Sequence, residues 1–162
     1  MEKLAVIRSK IFDNDELERK LAFWRFKNSE IVFTNGCFDV LHRGHIEYLA
    51  QARDKGEVLI VGLNTDASVR RLKGAGRPVN PQEARAMVLA SLLFVDAVVF
   101  FDEDTPYELI KTIQPDVLVK GADYSPETIV GYDIVTDKGG RVETVELVEG
   151  FSSTGIIESF DH

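Results

Sequence analysis

Short apolar runs without polar interruption recur along the chain, at Ile31-Val32-Phe33 and at residues 58–63, 97–101 and 117–119. Runs of this length read as strands covered on both faces, because a half-exposed strand would carry a polar residue at every second position. A fifth strand is expected at 142–147. Between these runs the apolar spacing changes from two to between three and four. Residues 13–25 carry Leu17, Leu21 and Trp24 on one helical face, and residues 45–55 carry Ile46, Leu49 and Ala50, with Gly56 as the stop. Asn80-Pro81-Gln82-Glu83 reads as a helix start, with a cap residue, a proline in the first helical position and a glutamate three after the cap. That helix is expected to run to about residue 93. Thr105-Pro106-Tyr107-Glu108 repeats the signal and opens a helix ending near residue 113.

Buried strands that alternate with helices imply a parallel sheet with helices on both faces. The expected fold is a Rossmann-like three-layer α/β sandwich with a five-stranded parallel sheet, in a single domain. A helical extension is expected at 1–29 and the domain proper at 30–162. In such sheets ligands bind beyond the carboxyl ends of the strands. The loops after Phe33, Leu63, Val119 and Leu147 are therefore where chemistry is expected, before any motif is considered.

Composition narrows the partners. The chain has 162 residues and is 44% hydrophobic, enough for a core without disulfide or metal staples. Its single cysteine, Cys37, has no intrachain partner, and charged residues from Arg8 to Asp15 interrupt any apolar run near the start. No signal peptide or membrane span is readable, so a cytoplasmic protein with no membrane partner is expected. The net charge is −8, from 27 acidic and 19 basic residues. A field of that sign opposes nucleic-acid binding, which rests on phosphate neutralisation, but it does not oppose a small anion held by a few local donors.

The loop after the first run reads Thr34-Asn35-Gly36-Cys37-Phe38-Asp39-Val40-Leu41-His42-Arg43-Gly44-His45. Gly36 permits a tight turn near a ligand, and Gly44 leaves room for a phosphate beside the backbone. His42 and His45 are three residues apart and share a face of a helical turn, next to the free N–H groups of a helix start. Two imidazoles there form a site for anionic oxygens. Zinc is not expected, since no cysteine or acidic cluster completes four ligands. Cys37 reads as a packing residue, and Asp39 as a weak candidate for metal contact.

Three further segments reach the same edge. Ser152, Ser153 and Thr154 precede a final helix and either donate to phosphate or simply cap that helix. Arg70-Arg71-Leu72-Lys73-Gly74-Ala75-Gly76-Arg77 is the densest basic stretch, and Lys73 before a glycine reads as a mobile arm toward transferring phosphates. Arg85 either contacts phosphate or makes a surface ion pair. Lys120-Gly121-Ala122-Asp123-Tyr124 follows the fourth strand, where its backbone and Asp123 are placed to read a base or sugar hydroxyls.

Gly36-Cys37-Phe38-Asp39 with His42-Arg43-Gly44-His45 resembles the cytidylyltransferase-like nucleotidyltransferase superfamily, whose signature is a His-x-Gly-His loop. Longer stretches narrow the likeness: Arg77-Pro78-Val79-Asn80, Asp102 to Pro106, Pro115 to Tyr124, and Val148 to Thr154. These are similar to the adenylyltransferases of bacterial ADP-heptose synthesis. The resemblance spans roughly residues 30–160. It implies ATP and D-glycero-β-D-manno-heptose 1-phosphate as substrates, ADP-heptose and pyrophosphate as products, and a lipopolysaccharide or other surface glycan as destination. On this reading His42, His45 and Lys73 are catalytic. Asn35, Gly36, Cys37, Phe38, Gly44, Lys120, Gly121, Asp123, Ser152, Ser153 and Thr154 hold the nucleotide, and Arg77 and Arg85 the substrate. Mg²⁺ arrives mainly on the triphosphate, with its protein ligands unassigned. A homodimer is the common assembly of the superfamily, with Trp24, Phe94, Phe100 or Phe101 as a candidate apolar patch. The rivals are a CTP-dependent transferase acting on glycerol 3-phosphate or a similar phosphorylated alcohol, and a nucleotide sensor without turnover.

Overall fold

A computed structural model describes residues 1–160; Asp161 and His162, the end of the expected 30–162 domain, lie outside the described residues. In chain order the elements are α1 (Lys3–Arg8), β1 (Ile11–Phe12), α2 (Asn14–Phe26), β2 (Ile31–Gly36), α3 (Arg43–Arg53), β3 (Val58–Asn64), α4 (Asp66–Lys73) and α5 (Gln82–Ser91). There follow β4 (Ala97–Phe101), α6 (Tyr107–Ile113), β5 (Val117–Gly121), a 3₁₀ turn (Pro126–Thr128), α7 (Tyr132–Asp137), β6 (Arg141–Val145) and α8 (Ser153–Glu158). No helix is long and apolar enough to cross a membrane among the described residues.

The sheet is parallel throughout and ordered β1-β4-β3-β2-β5-β6. Alternation within the central strands divides the core. Val32, Leu59, Val61, Val98 and Val117 face α3 and α5, whereas Ile31, Phe33, Ile60, Val99 and Leu118 face α2, α6 and α7. The three-layer sandwich follows from strands whose two faces are equally apolar. The chain winds outward from β2 through β3 to β4, then returns to place β5 on the other side of β2, where Val32 pairs with Val117. The carboxyl ends of β2 and β5 thus flank the topological switch point, the crevice where open α/β sheets bind ligands.

Six strands stand where five are expected. The additional one, β1, pairs Ile11 with Val98 and Phe12 with Val99 at the sheet edge. Two residues are too short to show any periodicity, and β1 makes residues 1–29 part of the sheet rather than a purely helical extension. Phe12, Leu17 and Leu21 from this segment are buried core residues. Asp13 caps α2 with a full capping box to Glu16.

Both proline start signals mark their helices one residue off. Pro81 and Pro106 occupy the cap positions, and neither Asn80 nor Thr105 caps with its side chain. The aromatic residues expected to form an apolar patch are instead engaged in the core. Phe101 is buried, Phe94 and Phe100 pack on one side of the sheet, and Trp24 packs on the other, 6.2 Å from Phe12.

Candidate active site

A cleft of about 390 Å³ opens at the carboxyl ends of β2 and β5. Of the residues expected to form the site, only Arg85 does not line it. His42 is the extended N-cap of α3 and makes no side-chain cap, so the first amides of that helix are not closed by a hydroxyl. Its imidazole stacks on that of His45, with ring centres 3.8 Å apart and planes at 21°. Phe38 meets His45 edge-on at 5.2 Å and Phe151 stacks over His42 at 6.2 Å, so the pair is sandwiched between aromatic rings.

The glycines serve this packing. A Cβ on Gly44 would lie 3.0 Å from the His42 ring and 3.3 Å from Phe151 Cβ. The space expected to admit a phosphate is taken by the imidazole. A Cβ on Gly36 would lie 2.9 Å from the Phe38 ring. Phe38 itself has φ of 45°, a left-handed conformation that costs a non-glycine residue of order 1–3 kcal/mol and persists only where its surroundings enforce it.

Burial lowers the pKa of His42, and burial together with His42 and Lys73 lowers that of His45 to about 4. Both rings are neutral at pH 7. Their Nδ1 atoms are buried without a hydrogen-bond partner, as are Asn35 Oδ1 and Arg77 Nη2. These four atoms belong to residues of one cleft.

Asp39 is not a metal ligand in waiting. Its carboxylate is fully enclosed: Oδ2 accepts from Arg77 Nε at 2.8 Å, and Oδ1 accepts from the Val79 and Asn80 amides at 2.9 Å. The Asn80 side chain donates to the Asp39 carbonyl at 2.7 Å, which is why it does not cap α5. Burial alone would raise the Asp39 pKa, but the Asn80 and Val79 amides and Arg77 hold it below the usual carboxylate value. Asp39 therefore clamps the 77–80 segment against the histidine loop. Arg77, expected as a substrate ligand, lines the cleft while bonded to Asp39 and, at 3.4 Å, to Thr154 Oγ1.

Arg85 corrects both expectations held for it. Its guanidinium is wholly buried, neither on the surface nor in the cleft. It donates to the carbonyls of Asn80, Cys37 and Asn64 at 3.0, 2.7 and 2.8 Å and to Asp66 Oδ1 at 2.7 Å. One cation thus ties the loops after β2 and β3 to the 77–80 segment, and its donors are spent on protein acceptors.

The segment at 70–73 is helical, not a mobile arm. Lys73 ends α4, before Gly74 at φ 99°, and lines the cleft with no ion pair among the described residues. Arg71 is committed elsewhere, pairing with Asp104 at 3.1 Å. At α8, Ser152 takes the capping role: its Oγ accepts from the Gly155 amide at 2.9 Å. Ser153 Oγ donates to the Val40 carbonyl at 2.8 Å, docking α8 on the histidine loop. Lys120, Gly121 and Asp123 line the opposite wall. Half-buried Cys37 has its thiol pKa raised by burial, against the pull of Lys73, Arg85 and Arg77, and so stays protonated.

Sequence reading missed Tyr48. Its hydroxyl lies 2.7 Å from Thr34 Oγ1 and donates to the Val119 carbonyl at 3.1 Å, joining β2, α3 and β5 beneath the cleft. Its position three after His45, on the same helical face, was the available signal. Leu147 and Phe151 also line the cleft, and apolar residues in a carboxyl-edge loop were the only hint of that.

A parallel α/β sheet with a glycine-bearing loop at its switch point, imidazoles at a helix start and cations around one cleft defines a doubly wound α/β protein with a candidate site for an anionic ligand. The chain belongs to the cytidylyltransferase-like family, which residues 33–159 match. It is 55% identical over 150 residues to the bifunctional protein HldE of Syntrophotalea carbinolica, covering 93% of this chain and 31% of that one. It is 57% identical over 141 residues to the bifunctional protein HldE of Campylobacter jejuni, covering 87% and 30%. The chain thus spans about three-tenths of the length of these curated relatives. Among solved structures, a lipopolysaccharide core biosynthesis protein from Thermoplasma volcanium aligns with a TM-score of 0.59 at 24% identity, covering 74% of this chain and 97% of that one. A pantoate-beta-alanine ligase from Francisella tularensis aligns with a TM-score of 0.62 at 17% identity, covering 93% and 76%. Both likenesses concern the fold.

Proposed function

We propose that this chain is an adenylyltransferase joining ATP to D-glycero-β-D-manno-heptose 1-phosphate, giving ADP-heptose and pyrophosphate in surface-glycan precursor synthesis in the cytoplasm. The observation that carries nucleotidyl transfer is the stacked, neutral His42–His45 pair, which shares its cleft with an unpaired Lys73. ATP and the heptose rest on the four stretches similar to ADP-heptose synthases and on relatives named HldE.

The acceptor phosphate is anionic at neutral pH and needs no general base. Its oxygen forms a bond to the α-phosphorus as the bond from that phosphorus to pyrophosphate breaks. The protein's work is to position and to neutralise charge. Neutral imidazoles offer N–H donors to the equatorial oxygens, Lys73 supplies charge to the departing pyrophosphate, and Ser153 and Thr154 border its path. The described residues include no group of three His, Cys, Asp or Glu able to hold a metal, and Asp39 is already occupied. Mg²⁺ brought in on the triphosphate would supply charge neutralisation there.

Pyrophosphate release, measured for ATP with the heptose 1-phosphate and for CTP with glycerol 3-phosphate, tests the reading. The first pair is expected to lead in kcat/KM by at least roughly tenfold, equivalent to about 1.4 kcal/mol. A lead for the second pair would keep nucleotidyl transfer and overturn the heptose. ATP binding without pyrophosphate from any acceptor would instead make the protein a sensor.

A further inference from the structure

Adjoining the main cleft is a second recess of about 190 Å³, and Lys120 and Tyr124 line both. At roughly 30 Å³ for each water in the liquid, it has room for about six waters, the scale of one sugar ring and not of a second nucleoside. Buried Pro106 and Ile129 give it an apolar side. Thr105 and Thr128 bring hydroxyls, and Asp104 brings a carboxylate that already pairs with Arg71. Apolar surface interrupted by a few fixed polar groups suits a polyol, whose C–H faces pack while its hydroxyls bond.

Lys120 stands where the two spaces meet. Its ammonium makes no hydrogen bond or ion pair among the described residues, and the surrounding protein pulls its pKa down to about 8, with Cys37 opposing. Lys120 is half-buried, and a cation withdrawn from water without a counter-charge in the protein is stabilised by a ligand that supplies one. An anion at that junction would have the recess on one side and the histidine pair's cleft on the other.

We infer that the recess is the acceptor subsite, holding the ring of a sugar phosphate whose phosphate group is gripped by Lys120. This rests on the proposed nucleotidyl transfer and reassigns Lys120 from the nucleotide to the acceptor. The thermodynamic consequence is separable: loss of the ammonium weakens the acceptor and spares the nucleotide.

The test uses Lys120→Met, Lys120→Arg and Thr105→Phe, the last placing a ring into the recess from an exposed position. Lys120→Met is expected to raise KM for the sugar phosphate about ten- to a hundredfold, the weight of a hydrogen bond to a charged group, and to leave KM for ATP unmoved. Lys120→Arg restores most of the loss, and Thr105→Phe raises the same KM without touching ATP. Equal rises for both substrates, or a rise for ATP alone, overturn the assignment. If the wild-type protein turns over no sugar phosphate, the functional reading fails separately. Calorimetric titration of heptose 1-phosphate into wild type, Lys120→Met and Thr105→Phe then decides the recess: binding lost in both variants supports it, and binding retained in either, or absent from wild type, overturns it.

Discussion

Replacing Asp39 with asparagine preserves shape and exchanges one acceptor oxygen for an NH₂ group. Every partner of the enclosed carboxylate is a donor: Arg77 Nε at 2.8 Å and the Val79 and Asn80 amides at 2.9 Å. An asparagine must turn its own donor toward at least one of them. Arg77, only 13% exposed, loses its counter-charge at the same time. Removing one partner of a buried pair costs about 3–5 kcal/mol. Arg77 retains the Thr154 contact and some solvent, so the lower end, about 3 kcal/mol, is expected. In a chain of this size each kcal/mol moves the melting midpoint by about 2–4 °C, which gives a fall of about 6–12 °C at pH 7. The sign with pH follows from the lowered carboxyl. Its stabilisation is complete above the ordinary value of 3.8 and is lost as pH falls through the depressed folded value. Calorimetric melts of wild type and Asp39→Asn should therefore diverge at neutral pH and converge below about pH 4. Equal melting at pH 7, or a gap indifferent to acid, would refute the clamp.

Four further outcomes are expected. His42→Ala and His45→Ala should each keep the fold and lower the transfer rate about 10²–10³-fold, the loss typical of one donor to developing charge; near-normal turnover in both would sink the catalytic assignment. Lys73→Ala should depress kcat more than it raises KM for ATP, and a change in KM alone would leave Lys73 a binding residue. Gly44→Ala brings a Cβ within 3.0 Å of the His42 ring, so kcat should fall while the melting midpoint barely moves, and unchanged kcat would show that the ring's placement is unimportant. The His45 ring should titrate near 4 by NMR, with stability lost as pH drops from 6.5 toward that value and the midpoint rising when a triphosphate binds; a free-state midpoint at 6.5 would contradict the buried, stacked geometry.

The central strands were legible because burial on both faces leaves unbroken apolar runs, and Val58–Asn64 is buried at every position. Elements whose stability comes from elsewhere were not. Of α4 only Ser68 and Val69 are buried, so its basic face reads as a loop, and β1 is held by pairing with β4 instead of by pattern. Within the site, the loop from Asn35 to His45 was legible because its chemistry is local. Arg85 was not, because the carbonyls that claim it come from residues 48, 21 and 5 positions away. Nothing one turn into a helix announces which way a guanidinium will point. Hydroxyls at a helix start carry a similar ambiguity: Ser152 caps, Ser153 docks α8 on Val40, and only the fold separates the roles.

The polar groups around the cleft divide by whether the fold has already answered them. Arg85 and the Asp39 carboxylate are enclosed and their main hydrogen bonds are made within the protein, and they hold the loops. The Nδ1 atoms of His42 and His45, Asn35 Oδ1 and Arg77 Nη2 are enclosed and unanswered. These four polar atoms without a protein partner all belong to residues that line one cleft. Burial keeps both imidazoles neutral. The left-handed Phe38 adds strain to the same loop. Stability is thus drawn from the clamp and from the two apolar faces of the sheet, and the polar atoms without a protein partner and the strained backbone are concentrated around the cleft.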